Sequence, residues 1–165
     1  MKSLAFKIAF NNKIGSGHLF RCSKLSAKLK KKIKTYLILK NKTQFQNLNY
    51  LNKSFNEIKI LKNFNEEKKF LKKNFFKNFL IDDPQVNFKK QKNYEKIINN
   101  LVLYQDIPKK NFCNLIINHN YIFNTKKKYK SLSKKNTKFL LGPRFYLIDF
   151  KKKKKPKNEI TIFLG

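Results

Sequence analysis

Leu4-Ala5-Phe6-Lys7-Ile8-Ala9-Phe10, then Asn11-Asn12-Lys13-Ile14-Gly15-Ser16-Gly17-His18, then Leu19-Phe20-Arg21-Cys22 is the stretch on which the fold turns. Leu4, Phe6, Ile8 and Phe10 alternate with smaller or polar residues, the period-two pattern of a strand. The middle segment carries turn formers. Beyond it Cys22, Leu25, Leu29 and Ile33 recur at spacings of three and four, the apolar stripe of a helix. Strand, glycine loop and helix therefore open the chain.

Working outward, short runs rich in Ile, Leu, Val or aromatics follow at residues 36–39, 58–61, 79–81, 101–104, 115–117 and 139–141. Intervals such as 66–77 and 89–100 are long enough for helices. Alternating strand and helix signals predict a layered α/β domain with a mostly parallel sheet and flanking helices. Residues 1–150 read as this domain. Residues 151–157, six lysines around Pro156, read as a linker, and 160–164 as one more strand.

The chain has 165 residues, 41% of them hydrophobic and 15% aromatic, which excludes a disordered polyelectrolyte in spite of a net charge of +31. No apolar stretch approaches the roughly 18 to 20 residues that cross a bilayer, and no signal-peptide pattern opens the chain. Cys22 and Cys113 lie far apart and form neither a disulfide framework nor a zinc motif; both read as buried small hydrophobes. A cytoplasmic protein away from membranes is expected. The charge points less firmly to nucleic acid than it would elsewhere. Lys, Asn, Phe, Ile and Leu are all encoded by A- and T-rich codons, and of 40 basic side chains only Arg21 and Arg144 are Arg, the preferred reader of phosphate and guanine. Non-specific, salt-sensitive polyanion binding is expected from the charge alone.

In a parallel sheet, ligands gather at the carboxyl ends of the strands, and a glycine loop entering a helix there offers backbone N–H groups. Gly15 and Gly17 stand in that position, with His18 at the helix start, where a neutral imidazole can take a proton from water. Asp82, Asp83 and Asp106 are the acids placed at strand ends, either to face a ligand or, more in keeping with the composition, to pair with surrounding lysines. His119, between Asn118 and Asn120, lines the same cleft or caps a turn.

The segment Ile14-Gly15-Ser16-Gly17-His18-Leu19-Phe20-Arg21-Cys22 resembles the I-G-x-G-H-x-x-R-C segment of the UDP-2,4-diacetamido-2,4,6-trideoxy-β-L-altropyranose hydrolases of pseudaminic acid biosynthesis. Other segments are similar in the same order. Phe79-Leu80-Ile81-Asp82 matches a strand ending in I-D-H, Phe112 to Tyr121 matches H-C-D-L-L-L-x-Q-N-Y, and Leu140-Leu141-Gly142-Pro143-Arg144 matches L-L-G-P-R. The resemblance implies the Rossmann-like N-terminal half of a GT-B fold, with residues 151–165 leading into the first strand of a nucleotide-binding second domain. It implies hydrolysis of a UDP-sugar by water, with inversion and without a metal or other cofactor. His18 would be the general base, and Gly15, Gly17, Arg21, Asp82, Asp106, Asn120 and Tyr121 would lie on the substrate side.

Four positions depart from the family pattern: Lys7 and Ala9 replace its R-x-D pair, Asp83 its strand-end His, and Gln105 the first of two Asp. A chain carrying one lobe is expected to hydrolyse poorly unless a separate C-terminal half joins it, because remote nucleotide contacts position the reacting centre. Two rivals stand beside this reading: a GT-B glycosyltransferase-like domain, and a non-catalytic basic protein that binds RNA or another polyanion.

Overall fold

The structure, a computed structural model, describes residues 3–10, 16–40 and 48–147. β1 (Ser3–Ile8) leads through the glycine loop into α1 (Gly17–Leu29), and β2 (Lys34–Leu39) follows. After them come α2 (Leu48–Ser54), β3 (Glu57–Ile60), α3 (Phe64–Lys73), β4 (Asn78–Asp82), α4 (Phe88–Glu95) and β5 (Asn100–Tyr104). The chain continues through β6 (Leu115–Asn118), α5 (Thr125–Leu132), β7 (Lys138–Leu141) and a single 3-10 turn, Pro143–Phe145. The seven strands form one sheet in the order β3-β2-β1-β4-β5-β6-β7, and each pairing is parallel. This is a Rossmann-like α/β fold, with its strand order reversing between β1 and β4.

Period-two patterning divides each strand between two cores. Leu4, Phe6 and Ile8 of β1 join Leu37, Leu39 and Leu80 beneath α1 and α2, where Leu19, Cys22, Leu51 and Phe55 close the layer. Ala5, Ile38, Phe79, Ile81, Leu101, Leu103 and Ile116 face the other way, against Leu71 of α3, Tyr94 of α4 and Tyr129 of α5. Burying each of the larger of these side chains contributes about 2 kcal/mol, and the edge-on contact of Phe6 with Phe55, 5.3 Å between ring centres, adds directional packing. Among the described residues no helix is long and apolar enough to cross a membrane.

Each apolar run of the sequence became a strand, but the helix bounds moved. α1 stops at Leu29, so Ile33 falls in the turn before β2, although it still packs on the same core. The helix expected over 66–77 runs Phe64–Lys73. Asn63 caps its start by accepting from the N–H groups of Asn65 and Glu66, both 3.0 Å away, and Phe75 at φ 50° breaks the chain out of it. The one expected over 89–100 ends at Glu95, because the chain must turn to bury Ile98 and deliver Asn100 to β5. The linker and final strand expected over 151–165 lie outside the described residues.

Candidate active site at the switch of the sheet

The ends of β4 and β5 converge on Arg21. The helical repeat of α1 puts His18 and Arg21 one turn apart on one face, aimed at the carboxyl edge of β4 and β5. Asp82, the last residue of β4, is fully buried. Arg21 grips it with two donors, Nε to Oδ2 at 2.6 Å and Nη2 to Oδ1 at 2.5 Å, and reaches Asp106 beyond β5 through Nη1 at 2.7 Å. Its guanidinium also lies 3.9 Å over the ring of Tyr104. Nη2 lies 2.9 Å from His18 Nδ1, which is itself 2.7 Å from Asp82 Oδ1.

Burial alone would raise the Asp82 carboxyl, but hydrogen bonds and charge from Arg21, helped by His18, hold it below the usual carboxylate range. An ionised carboxylate only accepts, so a proton on His18 Nδ1 serves Asp82 and leaves the imidazole lone pair on Nε2, whereas a bare Nδ1 accepts from Arg21 Nη2 instead. Arg21 Nη2 donates to Asp82 Oδ1 in either case. Burial pulls on Arg21 as well, yet its two carboxylates keep it charged well above the usual Arg value.

His18, Tyr104, Gln105 and Asp106 line a cleft of about 530 Å³ together with Pro84, Val86, Asn87, Phe88, Lys109 and Lys110. Gln105 Oε1 is buried and accepts no hydrogen bond among the described residues. The Asp106 side chain keeps 39% of its surface in solvent. A base on one wall and an acceptor-bearing loop on another can hold a hydroxylated ligand over His18 and deprotonate a water beside it.

The expected site residues divide. His18, Arg21, Asp82 and Asp106 come together. Asp82, however, lies behind His18 and Arg21 rather than at the ligand surface, and the acids pair with Arg21 where lysine partners were expected; Asp83 Oδ1 accepts from the backbone N–H of Gln85. Asn120 spends its Nδ2 donor on the backbone carbonyl of Asp106, 2.8 Å away, and so braces that loop. Tyr121 is 87% exposed and does not line the cleft. Gly17 opens α1 with free space where a Cβ would stand, and Gly15 lies outside the described residues.

Tyr104 and its pairing with His119 have no counterpart in the sequence analysis, and Gln105 figured there only as a departure from the family's Asp pair. The Tyr104 hydroxyl lies 2.5 Å from His119 Nδ1, and the His119 ring packs on Tyr146 with centres 4.6 Å apart. Polar groups in the first two positions past a buried strand were the available signal. Burial first, then the Arg21 charge, keep the His119 imidazole below its ordinary value. Burial holds the Tyr104 phenol above its own, so the hydroxyl donates to a neutral ring. Among the described residues no group of three His, Cys, Asp or Glu side chains is placed to hold a metal ion. No protein-family model matches this chain, and no curated protein matches it.

Proposed function

We propose that this chain is the base-bearing lobe of a nucleotide-sugar hydrolase of the kind its sequence resembles, which cleaves UDP from a diacetamido-trideoxy hexose. The observation that carries the reading is the His18–Asp82 contact at the reversal point of the sheet; the reading places the proton on Nδ1 and the lone pair on Nε2. Nε2 takes a proton from water as the water oxygen bonds to the anomeric carbon; the bond from that carbon to the UDP oxygen breaks, and UDP leaves with the electron pair. Water enters on the face opposite the leaving group, so the sugar is released with inversion. UDP departs as a stabilised anion, so the proton-donating carboxyl of ordinary inverting glycosidases is not required. Asp82 orients the imidazole and stabilises it once charged, and Arg21 holds Asp82 and Asp106 in register.

Hydrolysis of the UDP-sugar in ¹⁸O-water, with protein in excess over substrate, tests this. The label is expected in the sugar and none in UDP, and His18→Ala should abolish release while leaving the fold intact by circular dichroism. Label in the diphosphate, or full activity in His18→Ala, would overturn the reading. Amide shifts around His18 and Asp106 on adding the UDP-sugar give a second readout that does not depend on turnover; their absence would also count against it. Sugar passed to an acceptor instead of water would mark a transferase.

A further inference from the structure

A lysine stands where a buried parallel strand calls for an apolar residue. Lys7 sits in β1 opposite Ile38 of β2 and Ile81 of β4, both buried, and two residues beyond Ala5 on the same face. Strands covered on both faces read as apolar runs, and A- and T-rich codons supply Ile as readily as Lys, so base composition does not account for this residue. Its side chain, 13% exposed, pairs with Glu67 of α3, which is 3% exposed and also accepts from the hydroxyl of buried Tyr94. Burying a carboxylate and an ammonium together is expensive, and apolar packing in their place would be at least as stable. The pair is therefore a costly feature for packing alone.

Above it lies a cavity of about 260 Å³ lined by Lys7, Lys40, Lys62 and Lys90 around Glu67 and Tyr94. Four lysines and two acids, Glu67 and Asp83, line it, a surplus of two positive charges. Glu67 is occupied by Lys7 and Tyr94, and Asp83 accepts from the backbone of Gln85, so both acids are already engaged. Glu67 uses one direction of the Lys7 ammonium and anchors it in the pocket wall, with the other N–H groups available to a ligand.

We infer that this pocket is a second binding site, for a phosphoryl dianion, either free phosphate or the terminal phosphate of a small ester, held by Lys7 with Lys40, Lys62 and Lys90. Among the described lining residues it shares only Asp83 with the His18 cleft, and the inference holds whether or not the hydrolase reading does. Lys7 supplies the desolvated, oriented contact. The three exposed lysines supply charge and reach.

The test is a titration of the ¹⁵N-labelled 165-residue chain with inorganic phosphate at constant ionic strength, with chloride as the reference anion and glycerol 3-phosphate as a second arm. Saturable shifts at the amides of Lys7, Asn63 and Gln85 are expected; tighter binding of the ester would identify an organic phosphate as the ligand, and tighter binding of phosphate the free ion. Lys62→Gln with Lys90→Gln, both on the surface, should weaken binding about tenfold. Lys7→Met combined with Glu67→Gln removes both buried charges while leaving Tyr94 an acceptor, and should abolish the saturable shifts. Lys126→Gln, Lys127→Gln and Lys128→Gln together, on α5 away from the pocket, should change nothing. An equal loss in that control set, unchanged binding in the Lys7/Glu67 pair, or no saturable shift at all would overturn the inference.

Discussion

His18 Nδ1 lies 2.7 Å from Oδ1 of Asp82, a fully buried residue 64 positions further along the chain. The same carboxylate accepts two hydrogen bonds from Arg21 and lies 3.4 Å from the Sγ of Cys22, so one acidic side chain holds both the imidazole of His18 and the start of α1 against β4.

Asp82→Asn separates these roles from simple bulk. The amide keeps the volume but offers Arg21 no negative charge and can present a donor to His18, which moves the lone pair to the wrong nitrogen. On the proposed hydrolase reading, release of UDP should fall on the order of 10³-fold, by the tautomer logic of acid–His pairs, and unfolding should become easier by about 3 kcal/mol because Arg21 loses a buried partner. The pH dependence follows in sign. The folded-state value of Asp82 is lowered relative to the unfolded chain, so its contribution is fully present above the unfolded carboxyl value of about 3.9 and is lost as pH falls through the lower folded value. Urea midpoints measured from neutral pH down to about pH 3 should show this acid loss in the wild type and a flatter profile in the variant.

Arg21→Lys is not a conservative change here. One ammonium cannot reproduce two donors on Asp82, a third on Asp106 and a planar contact over Tyr104. A loss of about 3 kcal/mol is expected, read from chemical denaturation. A variant as stable as wild type would show that charge alone, without the guanidinium fork, holds the two strand ends together.

The sheet was legible because its signal is local. Each run of Ile, Leu, Val or aromatics within the described residues is a strand, buried in the middle of the sheet and only half-buried at its edges β3 and β7, and the glycine loop before His18 marks where β1 hands over to α1. α2 and α5 were not legible: Leu48–Ser54 and Thr125–Leu132 are short and rich in Asn or Lys, with little apolar stripe of their own, and rest on Leu51 and Tyr129 for their burial. The end of α3 was misjudged because Phe75, 86% exposed, adopts φ 50°, a left-handed conformation usually given to Gly or Asn. In the site, His18 and Arg21 could be read from the loop and helix start. That Asp82 would face Arg21 and not a lysine depends on the β1–β4 register, which joins residues more than 60 positions apart and leaves no local trace.

Both thiols should be inert in the native state. Burial, then the Asp82 charge, pushes Cys22 well above the ordinary thiol value, and burial pushes Cys113 up to about 12. The thiolate is the reactive form, so Ellman's reagent at about pH 8, below the ordinary thiol value, should label neither cysteine in the folded chain and both after guanidinium unfolding. Rapid labelling of the native protein would mean that α1 or the segment before β6 opens locally.

His119 offers a titration that tests the site without substrate. Burial and the Arg21 cation lower its imidazole from the ordinary value of 6.5, while the charges of Asp106 and Asp82 oppose them. Its Hε1 resonance should therefore titrate with a midpoint below that of a free histidine. The unfolded chain takes up the proton first, so the contribution of this residue to stability is complete above about pH 6.5 and declines as pH falls through the lowered folded value. Tyr104→Phe removes the donor that favours the neutral ring and should move the midpoint upward. A midpoint unmoved by Tyr104→Phe would assign the depression wholly to burial and Arg21, and would reduce the Tyr104 contact to packing.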